Sequence, residues 1–383
     1  AQGRTLASIE LHDILCMIGS VVVAGGVRRS AMISLSDLDD EAMAHAKSTG
    51  WFDRAPQRAA ANNSAVYHEK PSYETLLKEM TSMYESGSGE RGILNTKAPF
   101  NGSKCPRRAG FLRAGGIVFL GCNPCGEIYL QSHQFCNLTE VVGRPWDTLS
   151  ALQQKTVLAT IVGTIQASMT DFGDYLSAKW SHVTRSEALL GVSLTGIQEC
   201  PAMRDAISLR KLKLKAVETN IRYAAMLNIN PATAVTCVKP SGTASIVAGC
   251  TSGIHAHHAP HYIRRVRMSA SDMLTKYMMD HGVPWEPAVT YKNEDVDDDD
   301  STYTTAVFSF PIKAPATAEV FSENRPAMDQ LEDWLLVSTN YTEHNVSCTV
   351  TIGADELDPA TKWILQNWDN VGGLAFLPRS DIQ

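Results

Sequence analysis

The sequence lacks any apolar run near the roughly 20 residues that cross a bilayer, so no membrane span is expected. It also lacks an excess of positive charge. Lys and Arg number 34 against 41 Asp and Glu, for a formal charge of −7 and a pI near 5.9. That balance excludes a nucleic-acid coat or an anionic-membrane binder, while leaving room for a local basic pocket. No internal repeat is visible. No Gly-Lys-Ser/Thr is present, which excludes a Walker A loop. The opening Ala1-Gln-Gly-Arg-Thr5 resembles neither a signal peptide nor an initiator start, so the chain is expected to begin inside a longer protein. Its nine cysteines are odd in number and scattered. They indicate no disulfide framework, but a reducing cytoplasm in which most thiols are buried and inert.

What is present is an ordinary globular composition, 44% hydrophobic and 20% charged over 383 residues. Helical patterns cover 8–23, 39–48, 73–84, 146–177 (with Asp147 as cap), 208–227 and 327–341. Strand patterns cover 30–35, 65–68, 232–238, 302–311 and 347–352, and 87–113 reads as a basic loop. The segment 293–301 is a solvated acidic loop and the one low-complexity stretch. Strands alternating with helices indicate an α/β fold. No interdomain linker stands out, so residues 1–383 read as a single domain.

Cys125 and Cys136 lie in two short words, Asn123-Pro-Cys125-Gly-Glu127 and Phe135-Cys136-Asn-Leu-Thr139. In an extended segment, side chains at alternate positions share a face. An amide, a thiol and a carboxylate would then surround one small substrate. Reduction of a hydroxyl-bearing substrate by thiol chemistry needs such a set. Cys122-x-x-Cys125 could instead be a zinc half-site, but a second paired motif is missing and no metal site is expected. Gly87-Ser-Gly-Glu-Arg-Gly92 matches G-x-G-x-x-G. A helix precedes it where a strand is required, so it reads as a flexible loop. Thr236–Ser245 places Ser241, Thr243 and Ser245 after a strand pattern, as a phosphate nest or a simple helix cap would. Gly25-Gly26-Val27-Arg28-Arg29-Ser30 joins a flexible turn to two guanidiniums. His255, His257, His258 and His261 precede Arg264, Arg265 and Arg267. That charge disfavours a metal, and a polar pocket wall is expected.

Together these words resemble the large catalytic chain of ribonucleotide reductases, most closely the adenosylcobalamin-dependent class II. The resemblance rests on Asn123–Glu127, Phe135–Val141, Gly191-Val-Ser-Leu-Thr-Gly196, Lys239–Ser245 and His258–Arg267, in the family's order and over almost the whole chain. It implies a ten-stranded α/β barrel with a central finger loop, here partial, and radical reduction of ribonucleotides to deoxyribonucleotides. It implies a thiyl radical on Cys125 generated with adenosylcobalamin. Glu127 would be the general base, Asn123 the orienting amide and Cys136 one of two reducing cysteines. Pro240, Ser241, Gly242, Thr243, Ala244 and Ser245 would hold substrate phosphates. Gly25 through Ser30 would relay effector identity. Implied partners are a ribonucleotide, dNTP or ATP effectors if upstream segments exist, and a thioredoxin-type reductant. A homodimer is compatible with it. The partner of Cys136, the effector region and a cysteine-bearing tail are expected outside this chain. Competing expectations are a class I chain with a separate radical subunit, a non-catalytic nucleotide-binding remnant and a zinc-stabilised structural protein.

Overall fold

The computed structural model describes residues 3–24, 27–28, 30–288 and 305–379. Its strands, in chain order, are β1 (Val23–Ala24), β2 (Val27–Arg28), β3 (Met32–Ser36), β4 (Ala61–Tyr67), β5 (Gly92–Asn95), β6 (Gly121–Cys122), β7 (Tyr129–Leu130), β8 (Asn137–Val142), β9 (Leu190–Thr195), β10 (Thr236–Cys237), β11 (His261–Ser269), β12 (Trp285–Pro287), β13 (Thr305–Lys313), β14 (Thr349–Ile352) and β15 (Gly373–Pro378).

A five-stranded sheet runs β14-β15-β5-β4-β3 and a three-stranded one β10-β9-β8. Within each the pairs are parallel, except for the antiparallel junction of β15 with β5. An isolated parallel bridge, Val238 to Val346, joins the two sheets just before β14. The strands of these two sheets thus form one α/β succession with a single reversal of direction, while β11-β13-β12 form a separate antiparallel sheet.

Alternation along β8, β9 and β10 explains how this surface is used. Val141, Leu190, Val192 and Leu194, with Val238 just after β10, belong to the main apolar core. They are covered by the helices Leu149–Ser168 and Ala206–Leu227, which pack on each other and bury Leu152, Leu209, Leu212 and Ala216. Each buried leucine removes enough apolar area from water to contribute roughly 2 kcal/mol. The opposite face carries Glu140, Gly191, Ser193, Thr195 and Cys237. A Cβ on Gly191 would stand 3.1 Å from Cys237 Sγ and 3.3 Å from Ile128 Cδ1. The absence of a side chain there lets the β6–β7 hairpin seat against the sheet.

Several expectations change. The segment 87–113 is not a loop: it contains β5 and the helix Pro106–Ala114, which buries Arg108, Ala109 and Leu112. Its basic residues hid this, because Arg108 is itself internal. The pattern at 39–48 yields only the short helix Glu41–Ala44. The long helix starts at Leu149 with Thr148 as its cap, Thr148 Oγ1 accepting from the Ala151 N–H at 3.3 Å. Asp147 instead accepts from the Arg144 N–H and from Lys155. The strand expected at 232–238 is confined to Thr236–Cys237. The acidic stretch 293–301 lies outside the described residues. No described helix is long and apolar enough to cross a membrane.

Candidate thiol site on the finger hairpin

β6 and β7 pair antiparallel through Gly121 with Leu130 and Cys122 with Tyr129. Asn123 closes the turn between them. Its N–H donates to Ile128 O at 3.0 Å, its carbonyl accepts from the Gly126 N–H at 2.9 Å, and its Oδ1 accepts from the Ile128 N–H at 2.9 Å. Its side chain also hydrogen-bonds to Glu127. The expected orienting amide is therefore already committed to shaping the turn and to holding the carboxylate.

The hairpin is tied to the surrounding strands at every level. Asn62 Nδ2, from β4, donates to Pro124 O at 2.7 Å. Asn345 donates its backbone N–H to Glu127 O at 2.9 Å and its Nδ2 to Gly126 O and Gly373 O, each at 3.0 Å. Tyr129 Oη donates to Asn95 O at 3.0 Å. Arg108 Nη2 donates to Tyr129 O at 2.7 Å, while its Nε meets Glu187 Oε2 at 3.0 Å in a fully buried ion pair. Gly372 permits this approach, since a Cβ there would lie 2.9 Å from Tyr129 Oη and 3.0 Å from Asn345 Oδ1.

Cys125 stands at the tip and is the exposed member of the nine cysteines, all of them described. With Cys122, Asn62, Ser64, Pro240 and Cys348 it lines a cavity of about 290 Å³. A second cavity of about 640 Å³ shares His255, Cys348, Thr349 and Leu377 with it. Although Cys125 reaches solvent, the packed surroundings and the nearby Glu127 charge push its thiol up to about 11, with Lys239 opposing. Cys122 is pushed up to about 12 by the same two causes, with Cys125 adding to them. These thiols stay protonated near neutrality.

Glu127 is 2% exposed, and its Oε2 has no hydrogen-bond partner among the described residues. Burial raises its pKa, while the hydrogen bond from Asn123 and the charge of Lys239 oppose the rise. Lys239 Nζ lies 3.5 Å from Glu140 Oε2 on the same sheet face. Its backbone N–H donates to Ser193 Oγ at 2.9 Å. Cys136 precedes β8 and packs with Ile128, Cys237 and Cys105 in a small apolar cluster. Burial pushes its thiol up, with Arg108 opposing and Glu127 and Glu187 adding. It does not line the cavity at Cys125, but both thiols feel the charge of Glu127.

Of the segment 240–245, Pro240 lines the cavity. Ser241 is buried at the start of the helix Gly242–Ala248, and its Oγ has no partner among the described residues. Ser245 Oγ turns back to Gly242 O at 2.9 Å. Gly242, Thr243 and Ala244 are exposed. Of the segment 25–30, Gly25, Gly26 and Arg29 lie outside the described residues. Val27 and Arg28 form β2, paired with β1 and lying against β11. Ser30 Oγ donates to Gly19 O at 2.5 Å. Ser30 does not line the cavity at Cys125. His255 and His258 line the larger cavity, as a pocket wall should, whereas His257 pairs with Glu199. Among the described residues no cluster of three or more His, Cys, Asp or Glu is arranged to hold a metal ion. Asn62, Arg108 and Asn345 escaped sequence reasoning because no linear motif marks them.

No protein-family model matches the chain. The adenosylcobalamin-dependent ribonucleoside-triphosphate reductase of Lactobacillus acidophilus is 28% identical, covering 98% of this chain and 52% of the relative. That of Lactobacillus leichmannii is 27% identical over 95% and 51%. The chain thus spans about half the length of the curated relatives it matches. A crystal structure of a B12-dependent class II ribonucleotide reductase superposes with a TM-score of 0.76 at 24% identity, covering all of this chain and 54% of the other. The class Id ribonucleotide reductase alpha subunit of Actinobacillus ureae gives 0.61 at 9% identity, covering 98% and 76%. In sequence and in fold, over nearly its whole length, this chain resembles the catalytic chain of the adenosylcobalamin-dependent, class II ribonucleotide reductases.

Proposed function

We propose that this chain carries the radical site of an adenosylcobalamin-dependent ribonucleotide reductase, acting on ribonucleoside triphosphates as its relatives' names state. The observation that carries the reading is the pairing of an exposed, protonated thiol, Cys125, with a buried carboxylate, Glu127, whose Oε2 is unpartnered. The cofactor supplies the radical initiation. A thiyl radical on Cys125 takes the 3′ hydrogen of the ribose, and Glu127 accepts the proton of the 3′-hydroxyl. Two thiols, one of them Cys136, then give two electrons and two protons. The 2′-hydroxyl leaves as water, a disulfide forms, and Cys125 returns its hydrogen to C3′, which restores the thiyl radical and closes the balance. The upward shift of Glu127 suits a base that must take and return a proton near neutral pH. Seating the thiol inside a strand-lined cavity limits quenching by solvent.

The residues present suit the cofactor's place. The cavity at Cys125 shares His255, Cys348, Thr349 and Leu377 with the larger one, where Asn324, Arg325, Gln330 and Arg379 carry amide and guanidinium groups. Arg379 Nε has no partner among the described residues. These groups would hold the cofactor's polar periphery, and the chain would orient and protect while the cofactor carries the hard chemistry. The α/β succession is read as part of the family's ten-stranded barrel, with β6–β7 as its finger. Ser241 and Pro240 are assigned to the substrate phosphates, Gly25–Ser30 to effector relay. Deoxynucleotide or ATP effectors and a thioredoxin-type reductant are the proposed partners.

The test mixes protein, adenosylcobalamin, a dithiol and a ribonucleoside triphosphate without oxygen. Deoxynucleotide formation with a coupled paramagnetic signal supports the reading. Activity that ignores cobalamin and requires a separate radical subunit overturns it in favour of a class I chain, and a protein that only binds nucleotide overturns it in favour of a remnant.

A further inference from the structure

Pro124 O belongs to the peptide that enters Cys125, and Gly126 O to the peptide that links Gly126 to Glu127. Neither is satisfied within the hairpin. Asn62 Nδ2 reaches Pro124 O at 2.7 Å, and Asn345 Nδ2 reaches Gly126 O at 3.0 Å. The two asparagines come from different parts of the fold. Asn62 is on β4, and Asn345 follows the helix Ala327–Asn340 just before the bridge at Val346. Asn345 adds a second constraint through its N–H to Glu127 O, and its Nδ2 is shared with Gly373 O at the start of β15. Its own carbonyl accepts from the Val238 N–H at 3.2 Å, next to Lys239. Asn345 is 1% exposed, whereas Asn62 is exposed at the cavity rim.

We propose that Asn62 and Asn345 are positioning residues that clamp the thiol-bearing turn from its two sides and so set the place of Cys125 relative to Glu127. This rests on the radical-site reading for its purpose, but not for its test. Amide donors suit the task. Each is neutral, so neither adds a charge that would ionise the thiol; the Pro124 peptide plane orients Cys125, and the Gly126 peptide plane orients Glu127. Either carbonyl left unpaired in this half-buried site would turn toward water and carry Cys125 with it.

The experiment measures alkylation of Cys125 by iodoacetamide between pH 7 and 11, read peptide by peptide by mass spectrometry, with no nucleotide or cofactor present. Wild type, Asn62→Ala, Asn345→Ala and Asn345→Ser are compared, each with its melting temperature. Freed from the clamp, the thiol gains solvent and its titration midpoint falls toward the ordinary value of about 8.5. The expected shift is at least about one pH unit, with alkylation near pH 8 accelerated roughly tenfold. A merely structural role would lower the melting temperature without moving the midpoint. Asn62→Ala alters an exposed residue and keeps the test open if the Asn345 variants fold poorly. An unmoved midpoint in folded Asn62→Ala and in any folded Asn345 variant overturns the proposal. If the reductase reading alone is wrong, turnover is absent while the alkylation shift persists.

Discussion

Asn345 and Glu127, remote in sequence, are joined by a main-chain hydrogen bond of 2.9 Å from the Asn345 N–H to the Glu127 carbonyl. That bond attaches the base of the proposed reaction to the rim of the large sheet. The carboxylate is thereby held in the interior with its Oε2 unpartnered, while Cys125, two residues earlier, remains at the open end.

The two thiols should separate by function. Cys125→Ser is expected to abolish hydrogen-isotope exchange between cofactor and solvent and to abolish turnover. Cys136→Ser should retain exchange and lose deoxynucleotide formation. Turnover by Cys125→Ser would sink the assignment of the radical.

Glu127 should make the protein less stable as pH rises. Its folded pKa is raised above the ordinary 4.5 by burial, so the folded state holds the proton more tightly than the unfolded state. That contribution is complete below the unfolded value and disappears as pH climbs through the raised folded value. Glu127→Gln removes the buried charge. The variant should melt higher than wild type by an amount that grows from pH 5 to pH 8, while losing activity. Parallel melting curves across that range would contradict this.

The Arg108–Glu187 pair is expected to carry the base of the hairpin. Glu187 also accepts from Thr233, Gln131 and Gln134 at 2.6 to 2.8 Å. Glu187→Ala strands the guanidinium in the interior and should cost about 3–5 kcal/mol in denaturant unfolding. A loss under about 1 kcal/mol would mean that the pair is dispensable.

Gly372→Ala should displace the hairpin without unfolding the core. The new methyl would press on Tyr129 Oη and Asn345 Oδ1. Turnover is expected to fall at least about tenfold, as small misplacements of reacting groups do, with nucleotide affinity little changed. Wild-type turnover would show that the glycine is not needed for close approach.

The site was legible where chemistry is local. The spacing of Asn123, Cys125 and Glu127 reads as one face of an extended segment; they lie instead on a turn, with Asn123 bonded to Glu127 and Cys125 at the exposed tip. The buried helix at Pro106–Ala114 was not legible, because its inward residue is Arg108, whose charge reads as surface until Glu187 is seen beside it. Likewise β11 was hidden by His261 and by Arg264, Arg265 and Arg267, on a strand that covers little core.

By itself, then, the sequence determined the α/β alternation, the thiol, amide and carboxylate of the turn, and the likeness to class II reductases, because each depends on residue type at short spacing. Only the tertiary structure decided what surrounds that turn. The unpartnered carboxylate oxygen, the buried Arg108–Glu187 pair, the approach allowed by Gly372 and the two asparagines bracketing Cys125 all depend on strands distant in sequence meeting in space. No periodicity encodes such meetings. They follow from parallel pairing and from the demand that buried carbonyls be satisfied.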